Sequence, residues 1–587
     1  MKAIFLCLLW IATAPLYAQL WYEDVADWYN INHRFNAFNL GGGVSFRDFD
    51  GDGWDDITMG TAVGENIKFY RNMGSFFVAL PPLVPLQEEV KQVLWADIDN
   101  DGDQDLFVAT WDGLNRLYEQ TSPLQFTDIT LAAGLPSFIS RTYGATFGDY
   151  DRDGWLDLYF GLRIPFMPEN NQHLLFRNNG NGTFTNTTDA AQTADTGGLP
   201  FCSVFVDYNN DGWPDIYTSH DRFFTTNTLL ENNGDGTFSQ AGPAAQADIA
   251  IDAMSVSVAD YNNDGYLDIY CTNIPDGNAL LHNNGPDDQG QYTFTERGIA
   301  AGVGFFGNAW GASWLDADND GWLDLYVSGA DAGTTVNSAA FYKNEQDDTF
   351  SQPMIGFSGD TVISHANAVG DFNNDGATDI LVCNTYPYYS QLWSSEPTDN
   401  HWIKIRLEGT FSNRDAIGTR LLCYANGHFQ QRYTQTATSF LGQHTATEHL
   451  GVGSAEIVDS LVIIWPSGLE ERYYELATNV RYSLREGSTA GDPPLPDPWN
   501  TPEVITHQQE TPPAKPALFP IPATSVIHCH NPTPEDLILR CTNLSGQLLF
   551  TTTVPQYANT SIPIAHLPAG IYYFQSDSGI RWKWVKL

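Results

Sequence analysis

The sequence predicts an all-β chain built around a seven-bladed β-propeller, and three observations carry that reading. One nine-residue acidic loop recurs seven times between residues 48 and 379. Short β-prone runs flank each copy, GVSFR before the first and DITMG after it, VLWA and DLFVAT around the second. Most repeats then add a second tight turn, such as RNNGNGTF at 177–184 and ENNGDGTF at 231–238, where Asn-Gly favours reversal of the chain. Two turns make four strands per repeat, and seven repeats with a period near 50 residues make seven radially arranged blades.

Each element follows from this frame. The loops start at Asp48 (DFDGDGWDD), Asp97 (DIDNDGDQD), Asp149 (DYDRDGWLD), Asp207 (DYNNDGWPD), Asp260 (DYNNDGYLD), Asp316 (DADNDGWLD) and Asp371 (DFNNDGATD). Oxygen side chains at places 1, 3, 5 and 9, with Gly at place 6 for the tight curl, suit calcium, which takes six to eight hard oxygen ligands. Without a cation the carboxylates would repel by about 4 kcal/mol per pair at 4 Å and an effective dielectric near 20. A reading as plain Asp/Gly turns explains one copy better than seven. Place 12, where an EF-hand carries Glu, holds Met59, Val108, Phe160 and Thr218 in the first four copies, and the flanks are strand-like, so helix–loop–helix sites are excluded. Place 7 is mostly aromatic: Trp54, Trp155, Trp213, Tyr266 and Trp322. The fourth strand begins near Phe126, Phe184, Phe238, Phe294 or Phe350. The last repeat runs out of strands after Trp393, and Leu20–Val25 at the chain start is expected to supply the missing one and close the ring, which removes exposed sheet edges.

Residues 19–399 resemble the FG-GAP/VCBS repeats of integrin-like propellers. The resemblance implies one structural calcium ion per loop, up to seven. Its side-chain ligands would be Asp48, Asp50, Asp52 and Asp56; Asp97, Asp99, Asp101 and Asp105; Asp149, Asp151, Asp153 and Asp157; Asp207, Asn209, Asp211 and Asp215; Asp260, Asn262, Asp264 and Asp268; Asp316, Asp318, Asp320 and Asp324; and Asp371, Asn373, Asp375 and Asp379. The neutral Asn at place 3 of three loops is expected to weaken them.

Residues 400–487 lose the acidic loops. Ser412–Gly418 (SNRDAIG), Glu448–Gly453 (EHLGVG) and Ile464–Gly468 (IWPSG) are similar to the ASPIC/UnbV domain of cartilage-acidic-protein-like proteins. His444 and His449 are expected to be packing residues, and Asn413-Arg414 a turn or, if exposed, a partner contact. Residues 488–524 are Pro-rich and read as a linker. Residues 525–587, with His530-Asn531-Pro532 and the run Leu567–Phe574, resemble the C-terminal sorting domain of type IX secretion cargo. That likeness implies a small β-sandwich and handling by the type IX machinery. Cys529 and Cys541 are close enough in sequence to bridge across a hairpin, and no Cys spacing suggests zinc.

Residues 1–18 read as a signal peptide: Lys2, the apolar run Ile4–Trp10, and Ala18 before Gln19. No later segment is long and apolar enough to span a bilayer as a helix. Leader and tail together imply secretion or display at the surface of a Gram-negative bacterium.

Charge locates the acidity. The chain carries 71 acidic and 27 basic residues, net −44, and 55 of the acids fall within 19–399 against 13 bases. That excludes nucleic-acid binding through a basic surface, while 42% hydrophobic residues exclude an acidic disordered chain. Twenty-five of the 55 acids stand at the ligand places of the loops. No nucleophile elbow, HExxH pair or P-loop is present, so no catalytic residue is assigned and the chain is read as a non-enzyme. The favoured function is an exported calcium-stabilised adhesion or recognition module for an extracellular protein or glycan. The alternative is a surface glycan lyase or hydrolase on a propeller scaffold, a fold analogy only. Trp28, Trp111 and Phe166 are candidates for sugar stacking, with burial in the core as the favoured reading.

Overall fold

The computed structural model describes residues 20–488 apart from 38–39, 165–170, 275, 331–338 and 358–359. In the C-terminal segment it describes 517–519, 526–531, 536–543, 547–555, 558–563, 567–568, 570–576 and 581–586. The expected leader, most of the linker and Phe166 lie outside the described residues. The chain forms two bodies, divided at Thr501/Pro502.

Seven four-stranded antiparallel blades make up most of the first body. Blade one is Val44–Arg47, Asp56–Met59, Lys68–Asn72 and Phe77–Ala79, in sequence order from the axis outward. The innermost strands are buried on both faces, as in Val90–Ala96, Pro200–Val206 and Ala309–Leu315, because one face packs on each neighbouring blade. Outermost strands such as Phe184–Asn186 bury only their first residue, whose ring faces the preceding blade, as Phe238 of blade four packs on Tyr150 of blade three. Rings fill the seams between blades: Trp95 of blade two stacks on Phe49 of blade one at 5.1 Å.

Blade seven takes its outer strand from the chain start. Tyr22–Asp24 pairs antiparallel with Gln391–Ser395, Tyr22 opposite Ser395 and Asp24 opposite Trp393. The Tyr22 ring packs on Phe341 and Phe357, and its hydroxyl donates to the Thr378 carbonyl at 3.0 Å. The ring is thereby closed between its first and last repeats, as the sequence pattern requires.

The second module holds two sheets: Thr447–Gly453, His401–Glu408 and Val480–Arg485, and His428–Tyr433, Arg420–Ala425, Ile457–Ile464 and Glu470–Ala477. Ile403, Ile405, Leu421, Leu461 and Trp465 fill the space between them. Its segment Gly442–Gln443 leaves the module and pairs in parallel with Val44 and Ser45 of blade one.

The C-terminal body has a three-stranded sheet, Ala517–Phe519, Val526–Asn531 and Ala558–Pro563. A four-stranded one joins Leu548–Val554, Leu537–Asn543, Gly570–Ser576 and Arg581–Lys586. Two expectations are corrected here. Ala517–Phe519, inside the segment expected as linker, is a strand paired with Val526–Asn531. Cys529 and Cys541 do not face each other across a hairpin: they sit in different sheets, and Cys541 is a free, buried thiol.

Candidate metal centres and the open face of the ring

Each acidic loop joins an innermost strand to its neighbour. Place 4 is left-handed in every copy, with φ between 54° and 60° at Asn100, Arg152, Asn210, Asn263, Asn319 and Asn374 and 74° at Gly51. Place 6 is always a glycine at φ 86° to 102°. These two bends curl the chain so that alternate side chains point inward, and only glycine takes the second bend without strain. Backbone N–H groups then aim the acids. Asp48 accepts from the amides of Asp52 (3.0 Å) and Gly53 (2.9 Å), and Asp56 from those of Phe49 (3.2 Å) and Asn72 (2.7 Å).

In four loops three carboxylates converge with oxygens within 4.8 Å of one another: Asp48, Asp50 and Asp56; Asp97, Asp99 and Asp101; Asp149, Asp151 and Asp157; Asp316, Asp318 and Asp320. The remaining carboxylates of those loops, Asp52, Asp105, Asp153 and Asp324, stand outside those triplets. In the other three loops the place-3 amide turns its nitrogen inward. Asn209 donates to Asp211 at 3.0 Å, Asn262 to Asp264 at 3.0 Å and Asn373 to Asp375 at 2.8 Å. Asp207, Asp215, Asp260, Asp268 and Asp371 keep the same backbone partners as their counterparts, while Asp379 keeps only the place-2 amide, that of Phe372 at 3.1 Å.

Crowding and burial raise the carboxyl pKa values. Burial first, then neighbouring acids, push Asp56 up to about 10, and burial pushes Asp105 to about 9 and, with Asp415 alongside, Asp97 to about 8. Three loops meet a cation from the third strand of their own blade: Arg71 reaches Asp50 and Asp52, Arg177 reaches Asp151 and Asp153, and Lys343 reaches Asp318 and Asp320. The Oδ1 atoms of Asp50, Asp151 and Asp318 are nonetheless buried with no hydrogen-bond donor. An all-oxygen set with orphaned buried acceptors fits a hard divalent cation.

The sequence pattern concealed a second role for these loops. In five blades an Asn of the third strand stitches neighbouring blades together. Its Nδ2 donates to the place-2 carbonyl of the preceding blade: Asn72 to Phe372 (2.7 Å), Asn178 to Ile98 (2.8 Å), Asn232 to Tyr150 (2.9 Å), Asn283 to Tyr208 (2.9 Å) and Asn344 to Tyr261 (2.9 Å). Asn100, Asn210, Asn263 and Asn319 at place 4 donate to the place-6 carbonyl of the next loop. The recurring Asn was visible in sequence, but its turn propensity explained it and hid the inter-blade bond.

The second module sits on this loop-bearing face. Asp415 pairs with buried Arg47 at 3.1 Å and accepts from the Asp97 amide at 3.0 Å. Arg481 donates to the Gly53 carbonyl at 2.7 Å, Lys404 contacts Asp371, and Arg152 donates to the Pro466 carbonyl at 2.6 Å. Asn413 is buried and holds its own turn through Ile417, while the Arg414 amide bonds Asn100 at 2.8 Å, so the pair meets the propeller rather than an outside partner. His444 accepts from the Val369 amide at 3.1 Å and His449 bonds Asn319 at 2.6 Å, both half-buried and structural.

Residues 434–445 of this module run into the axis of the ring. Thr436 accepts from the Phe147 amide, Ser439 bonds Val256 and Asn367, and Gln443 bridges Ser45 and Trp95. Phe440, fully buried, lies among Tyr143, Phe201, Trp310 and His365 at the far end of the inner strands. The axial channel is therefore filled by protein.

The opposite face, formed by the second-to-third and fourth-to-first strand connections, bears exposed aromatics: Trp28, Phe138, Phe223, Phe224, Phe306, Tyr386 and Tyr389. Trp28 is 51% exposed, against the expectation that it fills the core, because it follows the closing strand on the rim. Trp111 is half-buried against Tyr143, with Arg141 over its ring at 5.3 Å. On the same side His173, Asp195 and His220 come together from blades three and four.

Three family models match. FG-GAP-like repeats cover 48–108, 97–160, 166–218, 207–271 and 260–327; ASPIC and UnbV covers 409–491; and a secretion system C-terminal sorting domain covers 517–586. This chain is an FG-GAP-repeat protein with an ASPIC and UnbV domain and a secretion-system sorting domain. The sorting domain implies handling by type IX secretion and supports export of this FG-GAP-repeat protein to the surface or the medium. Among the described residues, no helix is long and apolar enough to cross a membrane. No curated protein matches the sequence. Among solved structures, the chain is similar to the extracellular domain of a one-component system from B. thetaiotaomicron, at 10% identity and TM-score 0.35. That match covers 97% of this chain and 59% of that one. BBS1N in complex with ARL6DN matches at 11% identity and TM-score 0.39, covering 62% and 97% of the two chains. The WD40 domain of Toxoplasma gondii coronin matches at 10% and 0.36, covering 65% and 87%.

Proposed function

We propose that this exported FG-GAP-repeat protein is a recognition module whose open propeller face binds an extracellular protein or glycan. One observation carries the choice of face. The second module occupies the loop-bearing face and fills the axis with residues 434–445, so the aromatic-bearing face is left for a ligand. Exposed rings offer broad, rigid contact area at little entropy cost, which suits both sugar rings and protein anchors.

Calcium is the ion that fits the seven loops. Asp48, Asp50, Asp52 and Asp56, and their counterparts in the other copies, would hold it, and it would supply the positive charge that lets the acids ionise together. In this reading the ion clasps each blade and takes no part in ligand chemistry. On this reading the chain is a binding protein: the sequence has no catalytic motif, and the axis of the ring is occupied by residues 434–445.

A glycan and protein array probed with calcium-loaded protein, with product detection by mass spectrometry, tests the proposal. Binding without turnover, weakened by Trp28→Ala or by Phe223→Ala with Phe224→Ala, is the expected result. Turnover of any bound glycan returns the reading to a surface glycan-active enzyme.

A further inference from the structure

His173 opens the third strand of blade three, His220 ends the second strand of blade four, and Asp195 lies on the connection between those blades. Three segments far apart in sequence thus bring two imidazoles and one carboxylate to one point. Nothing in the repeat pattern calls for this, since the other blades carry different residues there. Both histidines are about 1% exposed, while the Asp195 side chain is 17% exposed and faces the outside.

His220 Nε2 lies 2.9 Å from Asp195 Oδ2, and His173 Nδ1 lies 3.9 Å from the same oxygen. All three ligand atoms fall within 4.8 Å of one another. A tetrahedral ion with bonds near 2.0–2.2 Å needs its ligand atoms roughly 3.3–3.5 Å apart. The two spacings to Asp195 straddle that value, so shifts of about half an ångström would bring each of them to it. The Asp195 carboxylate is already oriented by Thr228, whose hydroxyl donates to Oδ2 at 2.6 Å. The His173 ring is fixed by stacking on Tyr159 at 5.3 Å.

We infer that His173 Nδ1, His220 Nε2 and Asp195 form a binding site for a divalent first-row transition ion of the zinc class, separate from the seven acidic loops. The donor set decides the class, because imidazole nitrogen suits zinc, cobalt, iron and nickel, while calcium takes oxygen only. Three protein ligands leave a fourth position, and the exposed edge of Asp195 turns it toward the open face. His173 Nε2 and His220 Nδ1 are buried with no partner, so the site lacks the acceptors that normally buttress metal-bound imidazoles, and its affinity is correspondingly modest.

The test loads the full chain with cobalt(II) in excess calcium, which keeps the acidic loops occupied. Metal retained after gel filtration is then counted, and the visible ligand-field spectrum recorded. Wild type is expected to retain one equivalent more than His220→Ala or Asp195→Asn, with bands typical of a low-coordinate site. Thr228→Val is expected to bind about 10–100-fold more weakly. Melting curves in calcium identify any variant that fails to fold; Asp195→Asn, which conserves shape, then stands as the deciding comparison. Equal retention by wild type and both ligand variants, or no retention by wild type, overturns the inference.

Discussion

Phe440→Ala tests the claim that the axis is a packed core rather than a pore. Phe440 is fully buried, and its ring lies 4.9 Å from Trp310, 5.7 Å from Phe201 and 6.5 Å from Tyr143. Phe→Ala in a core costs about 3–5 kcal/mol through lost transfer energy and the cavity left behind. Phe201 and Trp310 sit on inner strands, each laddered to the second strand of its own blade, which limits how far these rings can move into the space left. The propeller and second module unfold as one unit on this reading. At about 2.1 cal/mol/K per residue, a unit this large then loses about 3–5 °C in Tm. Differential scanning calorimetry in saturating calcium measures the shift, and limited proteolysis reads whether 434–445 has come loose. A melting temperature within 1 °C of wild type, with the segment still protected, would refute the axial-core account. Loss of stability confined to a separate, smaller transition would instead show that the module does not brace the ring.

Four further outcomes follow from the loops, their stitching and the closure of the ring. Saturating each site at about 100-fold over its Kd should add about 2.7 kcal/mol per ion, so a chelator should lower Tm in calorimetry; an unmoved Tm removes calcium from the loops. In the metal-free protein, Asp97, Asp105 and Asp56 have carboxyls raised to about 8, 9 and 10. The folded state then binds more protons than the unfolded one, so the stability they contribute is full below about pH 4 and falls as pH rises toward 8–10; melting at pH 5 and pH 9 checks the sign, and calcium should flatten the trend. Asn344→Ala removes bonds to the Tyr261 and Leu323 carbonyls and should cost about 1–3 kcal/mol in chemical denaturation, because both acceptors stay buried. Gly356→Ala should open the ring: Gly356 sits at φ +107°, and an added Cβ would lie 1.9 Å from the Tyr22 carbonyl oxygen, whereas Gly51→Ala, with nothing within 4 Å, controls for left-handed strain alone. Proteolysis at the N-terminal strand reads the difference.

The sequence by itself determined the ring. Asp at places 1, 3, 5 and 9, Gly at place 6 and the β-prone flanks are local signals, and a loop of nine residues folds on its own neighbours. Even the long-range closure by Tyr22–Asp24 was legible, because a repeat lacking one strand must find it elsewhere. What the tertiary structure decided lies between elements. The stitches from the third-strand Asn join residues 75 or more apart, and Asn72 with Phe372 are 300 apart, so turn propensity masked them. Residues 434–445 carry no periodic signal, and only docking shows that Phe440 is a core residue of another domain. Trp28 was expected in the core because aromatic content says nothing about which side of a rim a ring occupies. His173, Asp195 and His220 meet only because two blades pack side by side. Contacts within one loop are written in one stretch of chain; contacts made by packing depend on residues whose separation in sequence carries no trace of their nearness in space.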